Sequence, residues 1–454
     1  MKDHRKQSRR SFIRHAAVTA GSAAVATSAS PVLGANDRIR VGFIGVGNRG
    51  SQLLSAFMQN RDVQVAAFAD CYEPYLSRDR SKVHARFLDE LGGRIPQMGE
   101  NFSSKVDVYT DFRELINRDD IDAVCIATPD HWHAYQAIMA MESGKDVYVE
   151  KPLTIALKEG RKMIDVAERT KRVNQVGLHR RASSIYHELA PKIQGGMLGK
   201  VTVSRAYRIS DMSPLGIGKA SHESPPDGFD WDMWLGPRAE RPFQYNIHPY
   251  RFRWWKNYSS QMGNWGVHYF DTIRWMLGEE APIAVTTTGG NYSVDDDRTI
   301  PDTSETTFEF ASGSILVFGV YEGSGGRAIQ GEIEIHGTKG TLSATERGYT
   351  VTPAKPGQFQ TWENQMEPID RRLDMREDNT FRHVRNFLDC MKTREECYCS
   401  LETGHRSTSF ALLANIAYER KKRLEWDAKN ERFTNDNEAN KLLDYKYRKP
   451  WELS

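Results

Sequence analysis

The sequence predicts two α/β units: an N-terminal domain built on a doubly wound parallel sheet, and a C-terminal α+β domain with a large, mostly antiparallel open sheet. The first prediction rests on a buried strand at 39–44 that leads through a glycine-rich turn into a helix. The second rests on later strands that alternate, as where Phe308 and Phe310 flank Glu309. A GTKGTL turn at 337–342 joins two of these strands.

The composition limits the classes of function. The chain has 454 residues, of which 39% are hydrophobic and 27% charged, so it is long enough for two or three domains with real cores. Its net charge of +2 gives no reason to expect nucleic acid as a partner. No stretch reaches the roughly 20 apolar residues of a membrane span. The five cysteines are few for this length and odd in number, so a disulfide framework is not expected. No metal site is predicted.

The first 35 residues match a targeting segment. The run from Ser8 through Arg9 and Arg10 to Arg14 follows the twin-arginine pattern, and a weakly hydrophobic stretch covers 16–29. We therefore expect export, to the periplasm or beyond the cell, with a disordered basic tail as the alternative. The expected segments are a signal peptide at 1–35, a cofactor domain at 36–152, a substrate and oligomerisation domain at 153–428 and a tail at 429–454.

The glycine-rich turn has the GxGxxG pattern in a strand–turn–helix context. Gly45 permits the tight turn, Gly47 lets the backbone approach a pyrophosphate, and Gly50 allows close packing of helix on strand. A second strand ends at Asp70, whose carboxylate suits the ribose hydroxyls and repels a 2′-phosphate. The sequence thus predicts a Rossmann domain that binds NAD, with NADP less favoured. Since the medium outside the cytoplasm holds no free nicotinamide pool, an exported protein of this kind should hold its cofactor tightly.

Two further strand ends carry polar residues. Thr128 and Pro129 follow the strand at 121–127, and Glu150 and Lys151 follow the next one. Ligands of a doubly wound sheet lie at the carboxyl ends of its strands, so we expect these residues near the cofactor.

Three motifs together resemble the Gfo/Idh/MocA oxidoreductase family: the strand–GxGxxG unit, ATPDHWHA at 127–134 and GKDVYVEKP at 144–152. The resemblance covers nearly all of 38–345 and implies action on sugars, inositols or polyols, with dimers or tetramers formed through the C-terminal sheet. It also matches His133 to a family histidine. The predicted cofactor-binding residues are Gly45, Val46, Gly47, Asn48, Arg49, Gly50, Asp70, Thr128, Pro129, His133, Glu150 and Lys151.

The resemblance also implies a catalytic set. Lys151 corresponds to the family lysine beside the nicotinamide, and the segment 263–271 resembles the family helix with Asp-x-x-x-His. His268 matches the general base, but Asn264 stands where the family has aspartate, and an amide accepts no proton. Asp271 could orient the imidazole, or serve capping or packing. For the substrate we expect contacts from His179, Arg180, Tyr207, Trp255 and Lys256.

An aromatic-rich region at 210–270 suits sugar rings, with packing beneath a long loop as the alternative. The leading function is hydride transfer at a hydroxyl carbon of a sugar, polyol or inositol. One alternative is glycoside cleavage by transient oxidation and elimination with an NAD that is restored in each turnover. Another is a non-catalytic exported sugar-binding protein with a structural cofactor.

Overall fold

Six parallel strands form the N-terminal sheet of the protein, seen in a computed structural model that describes residues 38–325 and 332–453. The predicted export signal lies outside the described residues. The sheet order is β3-β2-β1-β4-β5-β6, the doubly wound arrangement that the sequence predicts. The strands are β1 (Ile39–Ile44), β2 (Val63–Ala69), β3 (Asp107–Tyr109), β4 (Ala123–Ile126), β5 (Asp146–Val149) and β6 (Asn174–Val176).

Ten strands form the second sheet, in the order β14-β13-β12-β11-β7-β10-β9-β8-β15-β16. Only β7 and β10 pair in parallel, so the mostly antiparallel prediction is confirmed. The strands are β7 (Val201–Ile209), β8 (Ala284–Gly290), β9 (Thr303–Glu309), β10 (Ile315–Tyr321), β11 (Ile333–Gly337), β12 (Gly340–Thr345), β13 (Gly348–Pro353), β14 (Ile369–Arg372), β15 (Leu424–Asp427) and β16 (Arg432–Phe433).

Helices cover the faces of the first sheet and one face of the second. In chain order they are α1 (Asn48–Met58), α2 (Glu73–Leu76), α3 (Ala85–Leu91), α4 (Phe112–Ile116), α5 (His133–Glu142), α6 (Leu157–Thr170), α7 (Ser184–Gln194), α8 (Trp231–Leu235), α9 (Val267–Leu277), α10 (Asn379–Thr393), α11 (Leu401–Arg420) and α12 (Asn437–Lys441). Among the described residues, none of these helices is long and apolar enough to cross a membrane.

The core of the C-terminal domain lies between its sheet and the helices α7, α9 and α11. Phe270 of α9 packs on Phe318 of β10, with ring centroids 5.0 Å apart, and on Phe410 of α11. The opposite face of the sheet has no helix among the described residues. The helix α9 is thus packed between β10 and α11, and the turn that precedes it brings Asn264 to Lys151 at the end of β5.

Two boundaries differ from the expected ones. The parallel sheet continues past residue 152, because β6 pairs with β5 through Val149 and Val176. The second sheet continues past residue 428, because β16 pairs with β15 through Trp426 and Phe433. The local hydrophobic pattern marks a strand but does not state which sheet it joins, so both boundaries were set one element early.

The last residues return to the first domain. Trp451 is buried, with its ring 4.9 Å from Trp132 and 5.4 Å from Tyr135, and the Arg113 guanidinium lies over its face. Arg448 donates from Nε to the carbonyl of Gly236 at 2.8 Å and pairs with Asp232 at the end of α8. The segment 444–453, which we call the clasp, thus ties α8 to the loop that begins at Pro129.

Because Trp451 fills a buried aromatic site, we expect Trp451→Ala to lower the free energy of unfolding by about 3 kcal/mol through the cavity it leaves. Urea denaturation followed by circular dichroism measures this. Phe359→Ala is the matched control, since the Phe359 side chain is 91% exposed and its loss should change little. Equal stabilities of the two variants would show that the clasp does not pack as described.

Candidate functional site

The glycine-rich turn has the geometry that its sequence requires. Gly45 has φ of +83°, a backbone conformation that glycine adopts without strain. A Cβ at Gly50 would lie 2.0 Å from the carbonyl oxygen of Gly45, so α1 can approach β1 this closely only without a side chain there. The first turn of α1 leaves backbone N–H groups free toward a phosphate. Val46 itself is fully buried, so its contribution is made by the backbone alone.

Asp70 lies at the end of β2, beside this turn. Its carboxylate accepts from the backbone N–H groups of Val46 at 2.9 Å and of Tyr72 at 3.0 Å. Burial raises the pKa of Asp70 to about 6, against the effect of these two donors. Since a carboxylate has more than one lone pair on each oxygen, Asp70 still has acceptor capacity for ribose hydroxyls.

The two nearby arginines are engaged elsewhere. Arg78 donates to Glu100 at 2.5 Å and to the carbonyl of Val46 at 2.8 Å. Arg80 donates to the carbonyls of Ile95 and Pro96 at 2.9 and 2.8 Å. Neither guanidinium therefore stands ready for a 2′-phosphate, which agrees with the preference for NAD over NADP.

A cleft runs past the turn, and we call it the nucleotide cleft. One wall carries Gly45, Gly47, Asn48, Arg49, Asp70, Thr128 and Pro129, and the other carries Met233, Trp234, Tyr250, Phe252 and Arg253. The Arg49 Nη2 atom is buried and has no hydrogen-bond partner among the described residues, so it suits a pyrophosphate or ribose oxygen. Glycine cradle, unpaired donor and Asp70 together fit a dinucleotide.

Two residues of this region were not assigned a role from the sequence. Asp130 is buried and accepts from the Ser259 hydroxyl, and burial raises its pKa. Arg253 lines the nucleotide cleft and donates to the Tyr250 carbonyl at 3.0 Å. Asp130 belongs to the ATPDHWHA motif, and its place in that motif is the signal from which a role could have been predicted. Arg253 lies in an aromatic run, where no local pattern distinguishes it.

His133 supports the loop from behind. Its two ring nitrogens lie 2.8 Å from the Pro152 carbonyl and 3.1 Å from the Thr128 carbonyl, and the ring is fully buried. The Thr128 hydroxyl in turn donates to Gln136 at 2.8 Å. His133 thus lies between the ends of β4 and β5, and its contact with the cofactor stays a prediction.

Glu150 and Lys151 form the centre of the site. Glu150 is buried and pairs with Arg49 at 2.7 Å, which joins the end of β5 to the glycine-rich turn. Lys151 Nζ donates to the backbone carbonyl of Asn264 at 2.7 Å and to its side-chain oxygen at 3.1 Å. Burial lowers the pKa of Lys151 to about 8, and the Glu150 carboxylate opposes this shift. The two domains meet at this ammonium group.

Asn264 lies in a π-helical turn, Met262–Gly266, that precedes α9. The sequence predicts an ordinary helix here, in which a spacing of four would place Asn264 and His268 on one face. The wider turn differs from that expectation, and the Asn264 carbonyl accepts from Lys151. Single π turns of this kind occur often at functional sites, where they redirect a backbone group toward a ligand or side chain.

Two imidazoles lie next to each other beyond Lys151. The rings of His179 and His268 are 5.2 Å apart at a steep angle. Burial holds the pKa of each histidine well below 6.5, and the positive charge of Lys151 adds to the effect on His268. The Nδ1 atoms of both are buried without a hydrogen-bond partner in the described chain. Both rings are therefore neutral, and each can accept a proton from a ligand.

Asp271 does not orient His268. Its carboxylate accepts from Arg181 Nε at 2.9 and 3.0 Å and from the Ser407 hydroxyl at 2.7 Å. Asp271 thus serves the packing of α9, because it lies on the side of the helix that faces the 3₁₀ turn at 179–182 and α11.

The five expected substrate contacts separate into two groups. His179 and Arg180 lie beside His268, and Arg180 pairs with Glu332 at 2.8 Å. Tyr207 stacks on Tyr321 on the open face of the second sheet, opposite the buried face that carries Ala206.

The other two expected contacts also lie elsewhere. Trp255 is buried and donates to the Asn246 carbonyl at 2.9 Å, within the aromatic packing of the long loop. Lys256 is exposed and pairs with Glu419 at 3.4 Å. Aromatic and cationic residues suit sugars in general, but here the folding of the loop at 210–262 engages Trp255 with Asn246 and Lys256 with Glu419.

Comparisons with known proteins agree with this geometry. Residues 39–178 match the family model described as oxidoreductase family, NAD-binding Rossmann fold, and residues 187–453 match its C-terminal alpha/beta domain. The matches extend well past residue 345, where the sequence resemblance was placed.

Curated relatives match over a shorter region. A glycosyl hydrolase family 109 protein 1 of Shewanella sp. (strain MR-4) is 40% identical over 138 residues, which is 30% of this chain and 27% of that protein. An alpha-N-acetylgalactosaminidase of Shewanella oneidensis is 38% identical over 138 residues, with the same coverage. The chain thus covers about a quarter of the length of these relatives.

Solved structures share the fold over nearly their whole length. A levoglucosan dehydrogenase in complex with NADH and levoglucosan is 19% identical, with a TM-score of 0.59, 86% of this chain and 99% of that chain covered. An aldose-aldose oxidoreductase from Caulobacter crescentus is 16% identical, with the same TM-score and coverage.

We expect Gly50→Ala to lower NAD affinity by at least about tenfold, because the new Cβ forces the Gly45 carbonyl out of the turn. Mass spectrometry of nucleotide released from the denatured protein, followed by calorimetric titration of NAD, measures this. Gly93→Ala is the control, because a Cβ at Gly93 meets nothing within 4 Å. Unchanged NAD content in Gly50→Ala would contradict the assignment of this turn.

Proposed function

The chain belongs to the Gfo/Idh/MocA oxidoreductase family and is an NAD-dependent oxidoreductase, and from this premise we propose that it oxidises a hydroxyl carbon of a sugar, polyol or inositol. NAD, when bound in the nucleotide cleft, supplies the hydride acceptor. The observation that carries the proposal is the position of the half-buried Lys151 ammonium group, which donates to Asn264 and lies close enough to the buried His268 ring for its charge to lower the pKa of that imidazole.

The proton of the substrate hydroxyl has a defined destination. His268 is neutral at ordinary pH and its Nδ1 atom is free, so the ring accepts a proton as the hydroxyl carbon is oxidised. Lys151 is protonated below its pKa of about 8 and stabilises negative charge on the reacting oxygen. Asn264 holds Lys151 in place through two acceptor atoms and takes no proton itself.

The second neutral imidazole favours a second candidate function. Glycoside cleavage by transient oxidation needs one base for the hydroxyl proton and another for the C–H that the new carbonyl acidifies. His179, 5.2 Å from His268 between ring centroids, supplies that additional base. The curated relatives named as glycosyl hydrolases and as an alpha-N-acetylgalactosaminidase support this candidate.

A tightly held cofactor suits both candidates. The nucleotide cleft has a second wall formed by the loop at 233–253, and the clasp ties that wall to Trp132 on the opposite side. Trp132 also donates to the carbonyls of Met233 and Trp234, so the two walls are held together, which favours retention of NAD. A retained cofactor must return to its starting redox state in each turnover, either within one glycoside or between paired sugar substrates.

Export and assembly are further parts of the proposal. The twin-arginine pattern at Ser8–Arg14 supports export to the periplasm. The open face of the second sheet, where Tyr207 stacks on Tyr321 and Tyr321 donates to Glu305 at 2.6 Å, supports a homodimer or homotetramer. Fusion of residues 1–35 to a reporter that is active only after export tests the first statement. Analytical ultracentrifugation of the purified protein tests whether it forms a dimer or a tetramer.

The choice between the two candidate reactions is tested with two probes, levoglucosan and p-nitrophenyl N-acetyl-α-D-galactosaminide. Accumulation of NADH with levoglucosan and added NAD supports the dehydrogenase. Release of p-nitrophenol without net NADH supports cleavage. Lys151→Met should abolish either activity, and an NAD-bound protein that converts neither these probes nor a panel of free sugars would contradict the proposed function.

The pKa of Lys151 predicts the pH dependence. Because Lys151 is charged below about pH 8 and neutral above it, kcat/KM should fall as the pH rises through about 8. Lys151→Arg keeps its charge over this range, so the residual activity of that variant should lose the alkaline decline. Asn264→Asp places a carboxylate beside Lys151, raises its pKa and should move the decline to higher pH.

Lys105→Ala is the control for this series, since Lys105 is exposed and pairs only with Asp107 at the rim of the first sheet. Its profile should match that of the unaltered protein. An alkaline decline that persists unchanged in both Lys151→Arg and Asn264→Asp would assign the titration to another group.

A further inference from the structure

A second cleft begins at His179 and is separate from the nucleotide cleft; we call it the His179 cleft. Its polar lining includes Glu332, Glu346, Glu377 and Asn379. We propose that the His179 cleft is the subsite for an uncharged pyranose and that the ion pair between Arg180 and Glu332 determines its selectivity against anionic sugars. The inference deepens the proposed function and rests on it for the reaction that follows binding.

The cleft leads to the reacting groups. His179 belongs to its lining, and the His179 ring is 5.2 Å from that of His268, measured between centroids. A ring bound in the cleft therefore contacts the His179 imidazole, which is itself in contact with His268. The nucleotide cleft does not include His179, so the two clefts can be filled at the same time.

The donors beside the cleft lack acceptors. Arg180 is buried, lies over the Tyr269 ring and pairs with Glu332 at 2.8 Å, yet its Nη1 atom has no partner among the described residues. The Tyr186 hydroxyl close to it is equally buried and unpartnered in that part of the chain. Buried donors are rarely left unpaired in a folded protein, and two neighbouring ones point to ligand oxygen atoms.

An acceptor on the other side of the cleft is also free. Asn379 donates from Nδ2 to Glu346 at 2.7 Å, which fixes the amide so that Oδ1 is the remaining acceptor. That Oδ1 atom is buried with no donor in the described residues. Free donors and a free acceptor around one polar cleft match hydroxyl groups, because each hydroxyl both donates and accepts.

The charges argue against an anionic ligand. Four acidic and two basic side chains line the cleft: Glu332, Glu346, Glu377, Asp378, Arg347 and Arg376. Arg180 adds one positive charge, but Glu332 neutralises it. A carboxylate on the sugar would have to compete with Glu332 for the guanidinium, so a uronate should bind more weakly than the matching neutral sugar.

The experiment measures this competition directly. Calorimetry with the NAD-bound protein compares two pairs of probes, D-galactose with D-galacturonate and D-glucose with D-glucuronate. Glu332→Gln removes the competing charge and leaves Arg180 free, so the affinity for the uronate relative to the neutral sugar should rise at least about tenfold for the pair that binds. A merely structural role of Glu332 would weaken both sugars alike and leave the ratio unchanged.

Glu334→Gln is the matched control, because Glu334 lies two residues further along the chain, in β11, and faces His336 at 3.8 Å. Its ratio should equal that of the unaltered protein. An unchanged ratio in Glu332→Gln, or binding of none of the four sugars to the unaltered protein, overturns the inference. A shifted ratio without turnover of any sugar leaves the subsite standing and overturns the proposed function alone.

Discussion

The placement of one ammonium group, Lys151, determines much of the architecture of this protein. A partly buried charge needs groups that solvate it, and here two acceptors come from a distant part of the chain. Asn264 provides its backbone and side-chain oxygen atoms from the C-terminal domain. The neighbouring Glu150 carboxylate adds an attractive charge and pairs with Arg49 of the glycine-rich turn. These contacts link the glycine-rich turn, the end of β5 and the turn that precedes α9.

Asn264 leaves the centre without a negative charge at this position. Its amide oxygen lies 3.1 Å from Lys151 Nζ. Burial lowers the pKa of Lys151 to about 8, and burial together with the positive charge of Lys151 keeps the pKa of His268 well below 6.5. The site therefore has two neutral bases, His268 and His179, beside a cation that titrates close to physiological pH. This combination suits reactions that move more than one proton.

Local patterns were sufficient for the fold and for half of the site. The turn at 45–50 and the motif Glu150-Lys151-Pro152 are each a continuous run of residues, so the strand ends that form the nucleotide cleft and the position of Lys151 could be predicted from the chain alone. The partners of Arg180 could not, because Glu332 joins it only when β11 packs near the end of β6. Trp255 shows that residue type alone can also mislead. Its aromatic ring would suit a sugar, but the loop that carries it buries the ring in a core.

The clasp has a consequence for the order in which the molecule is completed. Trp451 closes the wall of the nucleotide cleft around Trp132, although the glycine-rich turn precedes it by almost the whole length of the chain. During synthesis on the ribosome, the turn emerges first and the clasp only after every strand of both sheets. The contacts of Trp451 with Trp132 and Tyr135 can therefore form only after residue 451 has left the exit tunnel, so this packing is completed after both sheets have been synthesised.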